Sequence, residues 1–378
     1  MSCCHFNLIL TPEGRDWLLE DRSMKGQHSY RAAIFRRLAG AIAASAAIAA
    51  VVFLPARTLP PRAAESGAGS AVFTAEPITP IEVPSGLDPA KVALGKRLFG
   101  DVRLSHGDQI ACLTCHPLNQ GGTDHSVLRA SPADGAPLDY NIPTIFNAVL
   151  NFRFNWTGQF RTVEEQNEFV LLNPRLMNTS WEEIISRLNA DSVYRESFAA
   201  IDGRPVERAS VLDALASYER SLVTPDAPFD RYVRGDKTAI KQAEEEGYRL
   251  FKSLGCISCH QGDNVGGNLF ERFGIFEEPY PPGASLRSID LGRFSITGKE
   301  RDRYVYRVPS LRNIAQTGPY FHDGSAPTLK IAVRVMAQKQ LGRTLKGGEV
   351  DLLVGFLKTL TGTYLGDSLT GSVMDHAE

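Results

Sequence analysis

The chain of 378 residues has no surplus of either charge: 41 Lys and Arg face 43 Asp and Glu, a formal net charge of -2. Nucleic-acid binders carry a basic excess, so nucleic acid drops out as a partner. Cysteine is scarce too. Of six, Cys3 and Cys4 stand near the start and the other four fall in two Cys-x-x-Cys-His motifs, at Cys112, Cys115, His116 and at Cys256, Cys259, His260. Nothing beyond these is left for disulfides, so the fold relies on a packed core and on whatever the motifs bind. Long apolar runs are missing as well, with one exception. From Leu38 to Leu54 the chain carries no charge, and Lys25, Arg31, Arg36 and Arg37 precede that run.

This is the architecture of an export signal. Seventeen largely apolar residues are short for a bilayer span, where about 20 are typical, so a cleaved signal and a retained anchor both stay open. The basic flank places everything after Leu54 outside the cytoplasm, in the periplasm. Met24 opens a more usual signal than Met1 does, so residues 1–23 read as an over-extended start. The expected organisation is then a cytoplasmic n-region at 1–37, a signal or anchor at 38–54, and a linker at 55–80. Two domains follow at 81–235 and 236–366, with a tail at 367–378.

A Cys-x-x-Cys pair alone suits zinc, thiol redox chemistry or haem. Zinc needs a partner pair within a few tens of residues, and here the pairs are more than a hundred apart. A thioredoxin-like motif has no need of His in the next position, let alone twice. In c-type haem attachment two thiols add to the two vinyl groups of the porphyrin and the adjacent His turns onto the iron, so two complete copies point to two covalently bound haems c.

The segments around the motifs look duplicated. Gly95–Phe99 matches Gly247–Phe251, Ile142–Asn147 matches Val308–Asn313, Trp156-Thr157-Gly158 aligns with His322-Asp323-Gly324, and Thr162-Val163 aligns with Thr328-Leu329. Helical period is visible over 238–252, 181–189, 208–223 and 348–360, with Ser180 and Glu183 in a capping-box pattern, and no clear strand alternation. The expected fold is mostly α, two tandem cytochrome c-like haem domains with long loops. Met336 lies 14 residues after His322, whereas the residue 14 after Trp156 is Val170. A thioether is a good sixth ligand for haem iron and valine is none, so by spacing Met336 is either a ligand or ordinary core filler, and the first iron has no obvious sixth ligand.

From about Leu87 to Gly362 the sequence resembles the bacterial di-haem cytochrome c peroxidases and their relative MauG. The resemblance is carried by Leu94–Ser105, Gly121-Gly122-x-Asp124, Asn141-Ile-Pro-Thr, Trp156-x-Gly158, Glu165-Gln166, Pro309-x-Leu-Arg-Asn, Gly318–Gly324 and Phe356–Gly362. It implies an electron-entry haem on Cys256, Cys259 and His260 with Met336 as sixth ligand. A peroxidatic haem on Cys112, Cys115 and His116 would lie on the far side of a relay, Trp156. It also implies a Ca2+ ion held by the Asn141 side chain and the carbonyls of Thr317 and Pro319, an oxygen-only set that suits a hard cation. Gln166 is the implied catalytic amide.

Two positions depart from the family. Its catalytic Glu stands ten residues after the Gln, where this chain has Leu176, so a neighbour such as Glu165 or Glu168 substitutes or the reaction differs. The family's mobile histidine stands 16 residues after the first motif's His, where this chain has Pro132, so the first iron is expected to be open without reductive activation. The resemblance implies reduction of hydrogen peroxide with electrons from a small cytochrome c or cupredoxin. The alternatives are a MauG-like oxidation of side chains on a partner protein, and a di-haem carrier whose first iron is closed by His125 or Met177. A homodimer is a further expectation, since family members are often dimers.

Overall fold

The computed structural model describes residues 76–201 and 203–369. The segments 1–37 and 38–54, residues 55–75 of the linker and residues 370–378 of the tail lie outside them. The described chain is mostly helical, with α1 (Pro89–Phe99), α2 (Cys112–Cys115), α3 (Val163–Leu172), α4 (Trp181–Ala190), α5 (Ser192–Ala200), α6 (Arg208–Ser221), α7 (Pro228–Val233), α8 (Gln242–Ser253), α9 (Phe294–Thr297), α10 (Leu329–Leu341) and α11 (Gly347–Lys358). Strand is confined to two antiparallel pairs: β1 (Phe270–Arg272) with β2 (Val305–Arg307), Glu271 opposite Tyr306, and β3 (Thr363–Tyr364) with β4 (Asp367–Ser368). Among the described residues no helix is long and apolar enough to cross a membrane.

The duplicated sequence segments adopt the same local structure. Helix α1 lies along α6, and α8 lies along α11. Each contact is closed by the glycine of the repeated Gly-x-Arg-Leu-Phe. A Cβ on Gly95 would stand 2.0 Å from the Ala214 carbonyl oxygen, and one on Gly247 2.0 Å from that of Leu352. Only a residue without a side chain lets the backbones approach so closely. Thr162 caps α3 by accepting from the Glu165 N–H at 3.2 Å, and Thr328 caps α10 by accepting from that of Ile331 at 3.3 Å. Isolated bridges Phe154–Phe160 and Tyr320–Ala326 close the turns carrying Trp156 and His322.

Asn147 and Asn313 both sit in the left-handed region, at φ +59° and +57°. Their backbone N–H groups reach the carbonyls of Leu222 and Leu360, just past α6 and α11. Their side-chain amides converge on one buried hydroxyl, that of Thr224, at 2.8 and 2.9 Å.

Two large apolar clusters result. Leu94, Leu98, Phe99, Phe146, Tyr194, Leu215 and Tyr218 anchor the first, and Phe229, Tyr248, Phe251, Val350, Leu353 and Phe356 the second. The ends of the described chain cross over between them. Ile78, near the start, is buried in the second cluster, held by hydrogen bonds between Gly262 and both Pro77 and Thr79. Leu369, near the end, is buried in the first, where Tyr364 meets Phe146 at 5.1 Å between ring centroids.

Helix starts show where side-chain chemistry outweighs periodicity. The Ser180 hydroxyl accepts from the Glu183 N–H as a cap should, but the reciprocal half of the box does not form. Glu183 instead accepts from Thr179, Arg187 and His106. The pattern expected from residue 238 begins as helix only at Gln242. Before it, Asp236 folds Thr238 into a turn, and Glu244 reaches back to the Lys241 N–H.

Candidate haem sites

In the first motif the His116 N–H closes on the Cys112 carbonyl at 2.9 Å, folding two thiols and an imidazole into one turn. The Gly121-Gly122 turn then brings the Gly122 carbonyl 3.0 Å from His116 Nδ1. A carbonyl only accepts, so Nδ1 donates and the lone pair lies on Nε2, the tautomer needed to bind iron. Burial holds the ring neutral by lowering its basicity.

The second motif repeats the design. His260 N–H reaches the Cys256 carbonyl at 3.0 Å, Nδ1 faces the Val265 carbonyl at 3.3 Å, and burial lowers the imidazole to about 4. Burial likewise pushes up the thiols of Cys112, Cys115 and Cys256, the last to about 11. Among the described residues the cysteines belong to no group of three or more clustered metal-ligating side chains.

A cavity of about 440 Å³ opens beside the second motif. Cys256, Cys259 and His260 line it, as does Met336 from α10. Arg307, buried at the end of β2, also lines it. Its guanidinium donates to Asn151 Oδ1 at 2.9 Å and has no carboxylate partner among the described residues, and burial lowers it to about 10. A buried cation left without a counter-ion suits the propionates of a haem, so the lining fits that group in shape, ligands and charge. Position 170, where the first half has Val170 on α3, offers no equivalent of Met336.

Between the halves, Trp156 lines the same cavity and donates its indole N–H to the Asn141 carbonyl at 2.8 Å. Its ring meets that of His322 edge-on. His322 Nε2 lies 3.1 Å from Asp290 Oδ1, and its ring stacks on Tyr306 at 4.7 Å. Of the expected calcium ligands, Asn141 donates its side-chain amide to the Pro319 carbonyl at 2.7 Å, and Thr317 and Pro319 line the cavity beside them.

On the first side, Gln166 on α3 has a buried amide oxygen without a hydrogen-bond partner among the described residues, which leaves it free to accept from a bound molecule. The carboxylates considered as replacements at Leu176 are engaged elsewhere. Glu168 takes a bidentate Arg208 at 2.6 Å and the Trp181 indole at 2.9 Å, and the Arg208 hydrogen bond holds its carboxyl below the usual range. Glu165 is exposed and accepts from the Arg161 N–H. Both ring nitrogens of His125 face carbonyls, of Gly318 at 2.7 Å and Gln120 at 2.8 Å, and Met177 is packed in the first apolar cluster. Sequence reasoning missed Arg307 and one more group, Glu219, whose burial no local pattern signals.

The profile of the di-haem cytochrome c peroxidase family matches residues 89–238. A cytochrome c551 peroxidase of Nitrosomonas europaea is 41% identical over 76% of this chain and 84% of its own. Cytochrome c peroxidase Ccp of Escherichia coli is 39% identical over 76% of this chain, which spans only 62% of that longer protein. Among solved structures, a MauG-like protein associated with microbial copper homeostasis superposes with a TM-score of 0.65 at 26% identity, covering 78% of this chain and 96% of that one.

Proposed function

The chain belongs to the di-haem cytochrome c peroxidase family, and from that premise we propose that it reduces hydrogen peroxide at a haem on Cys112, Cys115 and His116. Electrons would enter through a haem on Cys256, Cys259 and His260 from a small cytochrome c or cupredoxin in the periplasm. The observation that carries this division of labour is Met336 standing on α10 where the duplicated α3 has Val170, within a repeat whose caps, turns and glycines otherwise agree. One iron would be closed by a thioether and the other left open to a small oxidant.

When bound, the haems supply the redox chemistry of both steps. The chain supplies the rest. Gly122 and Val265 hold the two imidazoles in one tautomer and orientation. Arg307 offers charge to the second haem's carboxylates. Gln166 offers its unpartnered amide oxygen to the O–H of peroxide. Trp156, anchored on Asn141, fills the space between the halves as the relay. Calcium would hold that junction together through Asn141 and the carbonyls of Thr317 and Pro319, provided the Asn141 amide turns its oxygen toward the ion.

Leu176 favours a second reading. With no carboxylate at that position, a MauG-like oxidation of side chains on a partner protein uses the same two haems at a slower tempo. Steady-state peroxide consumption with reduced cytochrome c separates the two. Sustained turnover supports the peroxidase. A haem spectrum that responds to peroxide without turnover supports the protein-oxidising enzyme, and no response at all leaves an electron carrier.

A further inference from the structure

Splitting peroxide requires moving a proton from one oxygen to the other, and the position where the family keeps its carboxylate holds Leu176. A different carboxyl lies inside the first half. Glu219 on α6 is only 5% exposed. Its Oε1 accepts from the side-chain amide of Asn167 at 2.7 Å, and Asn167 follows Gln166 on α3. The carboxyl is near enough to the first haem motif for its charge to be felt at the Cys112 thiol. Among the described residues it has no Arg or Lys partner of its own, its neighbour Arg220 being taken by Glu164 at 2.5 Å.

We propose that Glu219 is the proton store of the first haem pocket, taking the part that a glutamate at position 176 would play, with Asn167 as its positioning residue. This deepens the peroxidase reading and rests on it. Peroxide arrives as H–O–O–H. As the O–O bond breaks, the outer oxygen gains one proton and leaves as water, while the inner oxygen loses its own proton and is reduced by two electrons from the haem pair. A carboxyl that gives the first proton and recovers the second ends the step unchanged. The inner oxygen leaves later as water, with two protons from solvent and two electrons from the donor protein.

Such a group must be protonated at working pH, and burial pushes Glu219 up to about 8. The groups facing it are Glu164 and Asn167 from α3, Cys112 from α2 and Arg220 on its own helix. The charge of Glu164 raises it further, and the Asn167 amide and Arg220 lower it. Arg220 is largely neutralised by its bond to Glu164, so burial wins.

The test is a pH titration of the resting holoprotein, followed by the absorption of its first haem, alongside the bimolecular rate with peroxide. A one-proton transition near pH 8 is expected. Glu219→Gln, of the same size and still able to accept from Asn167, should abolish that transition and slow the peroxide reaction by about a hundredfold, with two haems per chain retained. Asn167→Leu removes a donor that favours the charged form, so the transition should move to higher pH. That shift decides the matter if Glu219→Gln fails to take up haem. A Glu219→Gln protein with the wild-type transition and rate overturns the proposal, as does an unmoved transition in Asn167→Leu. If the wild type consumes no peroxide, the peroxidase reading fails, while the spectral titration still reports on Glu219.

Discussion

The indole of Trp156 and the imidazole of His322 meet edge to face, with centroids 6.5 Å apart and planes at 72°. They occupy corresponding positions in the two halves, so the repeat touches itself at this contact. Both rings are held from behind, Trp156 by the Asn141 carbonyl and His322 by Asp290.

Replacing Trp156 with Phe keeps an aromatic ring but removes the indole N–H and the more easily oxidised π-system. Peroxide turnover should fall at least about tenfold while the haem content and both resting spectra stay unchanged. Stopped-flow reduction of the first haem through the second is the direct measurement, and a wild-type rate would remove Trp156 from the path.

Met336→Ala should open the second iron. Its sulfur-ligand absorption band disappears, its reduction potential drops, and it becomes able to bind cyanide. A redox titration of the holoprotein that shows an unmoved high potential would mean that another residue closes this iron.

The repeat made much of this arrangement legible. The offset linking Trp156 to His322 also carries Val170 onto Met336 and Thr162 onto Thr328, so the mostly helical fold and the paired caps and turns of the two halves follow from the repeat. Glu219 was not legible, because a Glu on an amphipathic helix reads as a solvated residue until α3 covers it with Asn167, 52 positions away. Arg307 was hidden for the same reason: its sequence neighbours do not reveal that the cavity buries its charge. Glu168 looked available because its partner Arg208 lies 40 positions on.

Arg312 and Asp230 form an ion pair at 2.7 Å with both side chains 0% exposed. The same guanidinium also binds the carbonyls of Asp263 and Thr79. Asp230→Ala strands a buried cation and should cost about 3–5 kcal/mol. The loss is read as a lower denaturant midpoint, and an unchanged midpoint would show that the two carbonyls suffice.

Glu219 predicts a pH dependence of stability. Its folded value of about 8 lies above the ordinary carboxyl value, so between roughly 4.5 and 8 the folded chain binds a proton that the unfolded chain has lost. Stability therefore falls as pH rises through that window, by up to about 1.4 kcal/mol per unit, and levels off above it. Glu219→Gln should flatten this slope in denaturant melts. An unaltered slope would mean that the carboxyl is already ionised in the fold.

The crossing of Ile78 and Leu369 between the two apolar clusters has a consequence in time. The chain emerges from its N-terminus, and the first cluster lacks Leu369 and the packing of Tyr364 until the residues that follow α11 are out. The earlier half therefore completes its core only after residues beyond the later one are available. Ile78, made early, waits in turn for the cluster that buries it. Tyr364 and Leu369 act as a latch that delays completion of the first half until the second has been delivered.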